Sequence, residues 1–129
     1  MRHFLLAAMA TLLCLACPAE AATSASGTEP MTHTYSQKTL LKNWALSACL
    51  ARVAKDERDR DDANATAGAY LEFGRQPIEA YDSLRKLVDQ YAARTYQGSI
   101  DSRFDTMKCI DLFHSRELDR LAARLARKK

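Results

Sequence analysis

From Tyr35 to Arg127 the apolar residues recur at spacings of three and four, and no segment alternates as a half-buried strand would. Such a pattern leaves helices as the way to bury the apolar positions. The expected fold class is therefore all-α: a compact bundle of about five helices. The strongest amphipathic signal follows Pro77, which stands where the first turn of a helix tolerates proline. Ile78, Tyr81, Leu84, Leu87, Val88, Tyr91 and Ala92 share one half of that helix, which is expected to run to about Thr95. Asp82 and Lys86 on its other half have the spacing of an i,i+4 ion pair.

The first helix is expected from about Tyr35 to Lys55. Leu40, Leu41, Trp44, Ala48 and Ala51 form one apolar face, and Leu46, Leu50 and Val53 form another. A helix apolar on two sides belongs in the middle of a bundle. The charged run Asp56–Asp62 leads into a second helix, from about Asp59 to Phe73, with Ala63, Ala67, Tyr70 and Leu71 inward. A short fourth helix over Phe104–Phe113 is expected to turn Met107, Ile110 and Phe113 inward while Cys109 reaches back to Cys49. Ser115 is a plausible cap for a fifth, which buries Leu118, Leu121, Ala122 and Leu125.

Met1, Arg2 and His3 precede an apolar run from Phe4 to Cys17, then Pro18 and the small residues of Ala19-Glu20-Ala21. This has the form of a cleavable signal peptide over residues 1–21, and the run falls short of the roughly 20 apolar residues that span a bilayer. Cleavage after Ala21 would leave a flexible leader over 22–34 and one helical domain over 35–127. The expected compartment is the periplasm, with no membrane partner after cleavage. Two cysteines then remain, Cys49 and Cys109. Export favours a disulfide between them over two buried thiols, and a bridged loop of this length contributes roughly 4 kcal/mol.

The formal charge of +3 hides an uneven distribution. Between residues 22 and 119 there are thirteen Lys and Arg against fifteen Asp and Glu, whereas Arg120, Arg124, Arg127, Lys128 and Lys129 crowd the last ten positions. A terminal basic run is usually a solvated, frayed tail. No aromatic residues interleave with these charges, so no nucleic-acid partner is expected.

Groups suited to catalysis are few. A nucleophile needs a base and an orienting partner, and after Ala21 the histidines are His33 and His114 alone. His114 and Glu117 have i,i+3 spacing, but carboxylate-bridged metal bundles need that motif on two helices. No Cys-x-x-Cys-His haem site or glycine-rich phosphate loop occurs. The chain reads as a binding protein rather than an enzyme, with no catalytic residues, metal or cofactor.

Three blocks carry a family resemblance: Asn43-Trp44-Ala45-Leu46-Ser47-Ala48-Cys49-Leu50, Ala69-Tyr70-Leu71-Glu72-Phe73, and Phe104-Asp105-Thr106-Met107-Lys108-Cys109-Ile110-Asp111-Leu112-Phe113-His114-Ser115. In this order they resemble the Tai4 family, immunity proteins for type VI secretion amidase effectors. The resemblance spans Tyr35 to Leu121. It implies a periplasmic homodimer that binds two molecules of a cognate Tae4-like peptidoglycan amidase in a 2:2 complex. Inhibition would occlude the active-site groove of that effector and protect the cell from its own or sibling toxin.

Polar loop residues are the expected effector contacts: Glu72, Gln76, Pro77, Glu79 and Asp82 around the second turn and third helix, and Ser99, Asp101 and Arg103 in the later loop. Trp44, Tyr70, Phe73, Met107, Ile110 and Phe113 are expected in the core, while Asp111, His114 and Ser115 suit either role. The rival reading is a periplasmic adaptor or chaperone-like protein using its helical grooves on broader clients.

Overall fold

The computed structural model describes residues 27–127. The signal peptide and cleavage site expected at the start, the first five residues of the expected leader (22–26), and Lys128 and Lys129 lie outside the described residues. A 3-10 turn at Met31–Thr34 buries Thr32, so regular structure starts ahead of Tyr35. Five helices follow: α1 (Gln37–Val53), α2 (Glu57–Glu72), α3 (Ala80–Ala92), α4 (Asp105–His114) and α5 (Arg116–Ala126). Among the described residues there is no strand, and no helix is long and apolar enough to cross a membrane.

Short polar side chains start three of the helices by accepting from backbone N–H groups that lack a helical partner. Ser36 accepts from the Thr39 N–H at 3.1 Å, Asp56 from the Arg58 N–H at 2.8 Å, and Ser115 from the Leu118 N–H at 3.1 Å. The Ser115 hydroxyl also donates to the Leu112 carbonyl, which makes this residue the hinge pin between α4 and α5. α3 starts later than its pattern suggested. Pro77 opens a turn instead, its carbonyl accepting from the Ala80 N–H, and Ile78 is left 54% exposed.

α1 is the central element and contacts each of the other four helices. Leu40, Leu41, Trp44, Ala45, Cys49 and Ala51 are buried along it, and Leu46, Ala48, Leu50 and Val53 pack against the core from its flanks. Both apolar sides are used, as the sequence indicates. α2 buries only Ala67 fully and leans on α1 through small side chains. The Trp44 ring meets Tyr81 of α3 edge-on, with centroids 5.1 Å apart. Tyr81, Leu84, Leu112 and Leu118 complete the centre, each such side chain contributing about 1.5–3 kcal/mol on burial.

Cys49 and Cys109 are joined in a disulfide that is completely buried. It determines how α4 rests on the bundle, and here the sequence reading needs correction. Met107 and Ile110 are not in the core; each is 48% exposed. Cys109, Lys108 and Leu112 are the buried residues instead. At about 100° per residue, Met107 lies roughly 160° around the helix from Cys109, so the two cannot face one core. The covalent bond prevails. Phe73, also expected inside, caps the end of α2 and is 43% exposed, while Phe113 is half-buried.

Candidate functional site

The eight residues expected to meet a partner fall into two groups at opposite ends of α3. That helix has 13 residues, an axial length of about 20 Å. Glu72, Gln76, Pro77, Glu79 and Asp82 surround its start, and Ser99, Asp101 and Arg103 lie beyond its end. The structure gathers each group but does not bring the two together on one copy.

At the first pole the turn between α2 and α3 is clamped by Gln37, a residue the sequence pattern gave no reason to single out. Its side-chain amide donates to the Phe73 carbonyl at 3.1 Å and accepts from the Arg75 N–H at 2.7 Å. Gly74 lies where a Cβ would collide with the Tyr81 hydroxyl. Glu72, Pro77, Glu79 and Asp82 are exposed. Gln76 is not fully presented, since its side-chain oxygen is buried without a hydrogen-bond partner. Asp82 pairs with Arg85 at 2.7 Å rather than with Lys86. Arg85 also stands over the Trp44 ring, which holds its guanidinium on that side.

The second pole is built around Phe104. This residue has φ 51°, the left-handed region, immediately before α4, a conformation costing a non-glycine residue about 1–3 kcal/mol. Ser102 accepts from the Phe104 N–H at 3.2 Å. The ring lies on Gly98, where an added Cβ would approach it to 2.6 Å. The loop is thus folded back on the base of α4. Ser99, Asp101 and Arg103 are exposed on it, and Arg103 reaches Asp105 at 3.2 Å.

Around that loop lie three of the largest exposed apolar side chains: Ile100 (72%), Met107 and Ile110. An open cleft of about 790 Å³ runs between the end of α1 and the start of α4, lined by Val53, Asp59, Phe104, Met107 and Ile110. A neighbouring hollow of about 450 Å³ shares Phe104 and Met107 and adds Ile100. Clustered exposed apolar groups with a polar rim are the mark of a protein-binding surface. Sequence reasoning placed Met107 and Ile110 inside. The signal that could have corrected this was the inward demand of Cys109 on the same short helix.

A separate groove of about 550 Å³ lies over Trp44, flanked by Arg52, Arg60 and Arg85. Two of its three cations are already occupied, Arg52 by Asp89 at 3.1 Å and Arg85 by Asp82. Beneath the second pole, Lys108 is buried and donates to Asp105 at 2.8 Å. That bond holds the Asp105 carboxyl below its ordinary range, with Arg103 adding to the effect. Tyr96 donates to Asp111 at 2.6 Å, steadying the far side of the loop. Asp111 and His114 are exposed, and the His114 ring meets Phe113 edge-on. Glu117 is engaged by the Tyr91 hydroxyl at 3.3 Å. Among the described residues no three His, Cys, Asp or Glu side chains converge as a metal site requires. The arrangement offers shape and apolar contact.

Comparison with known proteins follows the same direction. The model of the Tai4 family, described as a type VI secretion system amidase immunity protein, matches residues 39–122. The chain is similar to one in the structure of the effector–immunity system Tae4/Tai4 from Salmonella typhimurium, with 52% identity and a TM-score of 0.72. The match covers 75% of this chain and 96% of that one. A second similar chain comes from a structure of type VI-secreted toxins and self-resistance proteins of Serratia marcescens. It is 31% identical with a TM-score of 0.74, covering 81% of this chain and 88% of that one. A chain of the Tae4–Tai4 complex from Enterobacter cloacae, at 24% identity and a TM-score of 0.66, shares the fold over 75% of this chain and 99% of its own. No curated protein matched.

Proposed function

The chain belongs to the Tai4 family of type VI secretion amidase immunity proteins, and from that premise we propose that it binds a cognate Tae4-like peptidoglycan amidase and occludes its active site. The observation that carries this reading is the 52% identity, over nearly the whole of the related chain, to a chain from a Tae4/Tai4 effector–immunity structure. The protein acts as an inhibitor in the periplasm, not as a catalyst, and protects the cell from its own or sibling effector.

The second pole is the principal contact. Ser99, Asp101 and Arg103 supply the polar rim, and Ile100, Met107 and Ile110 supply the apolar centre that binding energy requires. Glu72, Gln76, Pro77, Glu79 and Asp82 lie about 20 Å away, at the other end of α3. In a homodimer holding two effectors, one amidase meets the second pole of one protomer and the first pole of its partner.

Inhibition of a purified Tae4-like amidase is the direct test. Purified parent chain abolishes peptidoglycan cleavage and co-elutes with the enzyme as a 2:2 assembly. Full amidase activity in the presence of excess protein would sink the proposal.

A further inference from the structure

α5 has two faces of opposite character. Leu118, Leu121, Ala122 and Leu125 are buried in the core, while Arg116, Arg120, Arg124 and Arg127 are all exposed. Their spacing places the four arginines within about 80° of one another around the helix and over about 16 Å of its axis. The basic end of the chain is therefore an ordered helical face as far as Arg127, not a frayed run.

The two acidic residues of α5 are each engaged by side chains of other helices rather than by these arginines. Asp119 is held by Lys38 at 2.7 Å and by Lys42 at 3.4 Å, so that flank remains positive. Glu117 is held by the Tyr91 hydroxyl, and Arg94 stacks over the Tyr91 ring. Among the described residues, none of the four arginines has a carboxylate within ion-pair distance. Lys128 and Lys129 follow directly in the sequence. The family-model match ends at Ala122, ahead of Arg124, Arg127 and both lysines.

We propose that the arginine face of α5 docks on an anionic phospholipid surface and holds the protein against a membrane without entering it. An extended array of one sign matches a charged plane, and each cation near such a surface adds to the attraction. Because Leu118, Leu121 and Leu125 are buried in the core, α5 presents no large apolar side chain for insertion, and the attachment is Coulombic. Nucleic acid is a poorer match, for no aromatic side chain lies among the arginines to stack a base. The start of α2 carries exposed Asp56, Glu57, Asp59, Asp61 and Asp62 and has no substantial contact with α5. That polarity would orient the molecule with α5 toward the membrane. The sequence alone points to no membrane partner after cleavage. The pairing of both α5 carboxylates with groups of α1 and α3 is what points to one. The proposal rests on the reading that the protein works in the periplasm, but not on amidase binding.

Flotation of the full chain with vesicles tests it, using phosphatidylglycerol mixed with phosphatidylethanolamine, or phosphatidylcholine alone. The apolar N-terminal run is present in every arm, so charge is the variable. The parent floats with the anionic vesicles at low ionic strength, less with the neutral ones, and is released by salt. The variant R116Q/R120Q/R124Q/R127Q keeps its helical circular dichroism and partitions about tenfold more weakly or worse. R58Q/R60Q on α2 partitions as the parent does. No flotation of the parent with anionic vesicles, or equal flotation of the quadruple variant, overturns the proposal. Amidase inhibition in solution is measured on the same variant, and retained inhibition supports a role separate from the effector. Lost inhibition with unchanged vesicle binding assigns the arginines to the effector and overturns it. Should the parent inhibit no amidase, the vesicle arms still decide this point alone.

Discussion

Cys109 of α4 is bonded to Cys49 of the central helix α1, and with Cys109 held inward Met107 and Ile110 of the same helix are exposed. One crosslink thus does two things. It anchors a ten-residue helix too short to be stable alone, and it presents an apolar patch beside the loop that ends in Phe104.

Replacing both cysteines by alanine is expected to cost about 2–5 kcal/mol of stability. Urea unfolding of the variant, compared with the parent under oxidising conditions, measures the loss. Under strong reductant the parent's unfolding midpoint should fall toward that of the variant. An unchanged midpoint in either experiment contradicts the role given to the bond.

Substituting Met107→Glu or Ile110→Glu should leave the unfolding free energy within about 0.5 kcal/mol of the parent, as for ordinary surface changes. Affinity for the amidase should fall at least about tenfold, the effect of burying a charge at an apolar contact. Titration calorimetry and thermal melts on the same samples separate the two effects. A large loss of stability would return these residues to the core.

Gly98→Ala is expected to displace the Phe104 ring, because the new methyl group would sit 2.6 Å from it. The disturbance is local to the loop, so amidase affinity should suffer more than stability. Phe104→Gly should relieve the left-handed backbone conformation yet remove the ring that closes the loop. Amide hydrogen exchange over residues 95–104 should rise in both variants.

Acid should destabilise the fold. Hydrogen bonding by Lys108 and the attraction of Arg103 hold Asp105 low, Lys38 and Lys42 hold Asp119 low, and its own backbone N–H followed by Tyr91 holds Glu117 low. A carboxyl group lowered in the folded state contributes its stability above its unfolded value and loses it as pH falls through the folded one. The unfolding midpoint should therefore be steady near neutrality and decline below about pH 4.

The pair beneath the second pole allows a sharper test. Lys108→Met leaves Asp105 without its nearest partner in a site where that carboxylate is only 14% exposed. The expected loss is about 1–3 kcal/mol at pH 7, moderated by Arg103. At pH 3 the gap between variant and parent should narrow, because Asp105 in the variant is then neutral. A gap that widened on acidification would contradict the pairing.

The helices, their order and the central place of α1 were legible because a period of three to four residues survives in a linear reading. Ser115 was legible as a cap, and Cys49 and Cys109 as a pair. Such a reading locates residues on a common face but does not say which face meets the core when a short helix carries apolar residues on several sides. α4 is that case, and the position of Cys49 on a different helix settled its rotation. Nor could spacing tell that Asp82 would take Arg85 over Lys86, that Gln37 would clamp a turn thirty-six residues away, or that the α5 carboxylates would be engaged by α1 and α3 and leave four arginines without an ion-pair partner. Each of these depends on where a second element lies in space. Local pattern therefore determined the elements, and the packing of one helix on another decided which side chains are left for a partner.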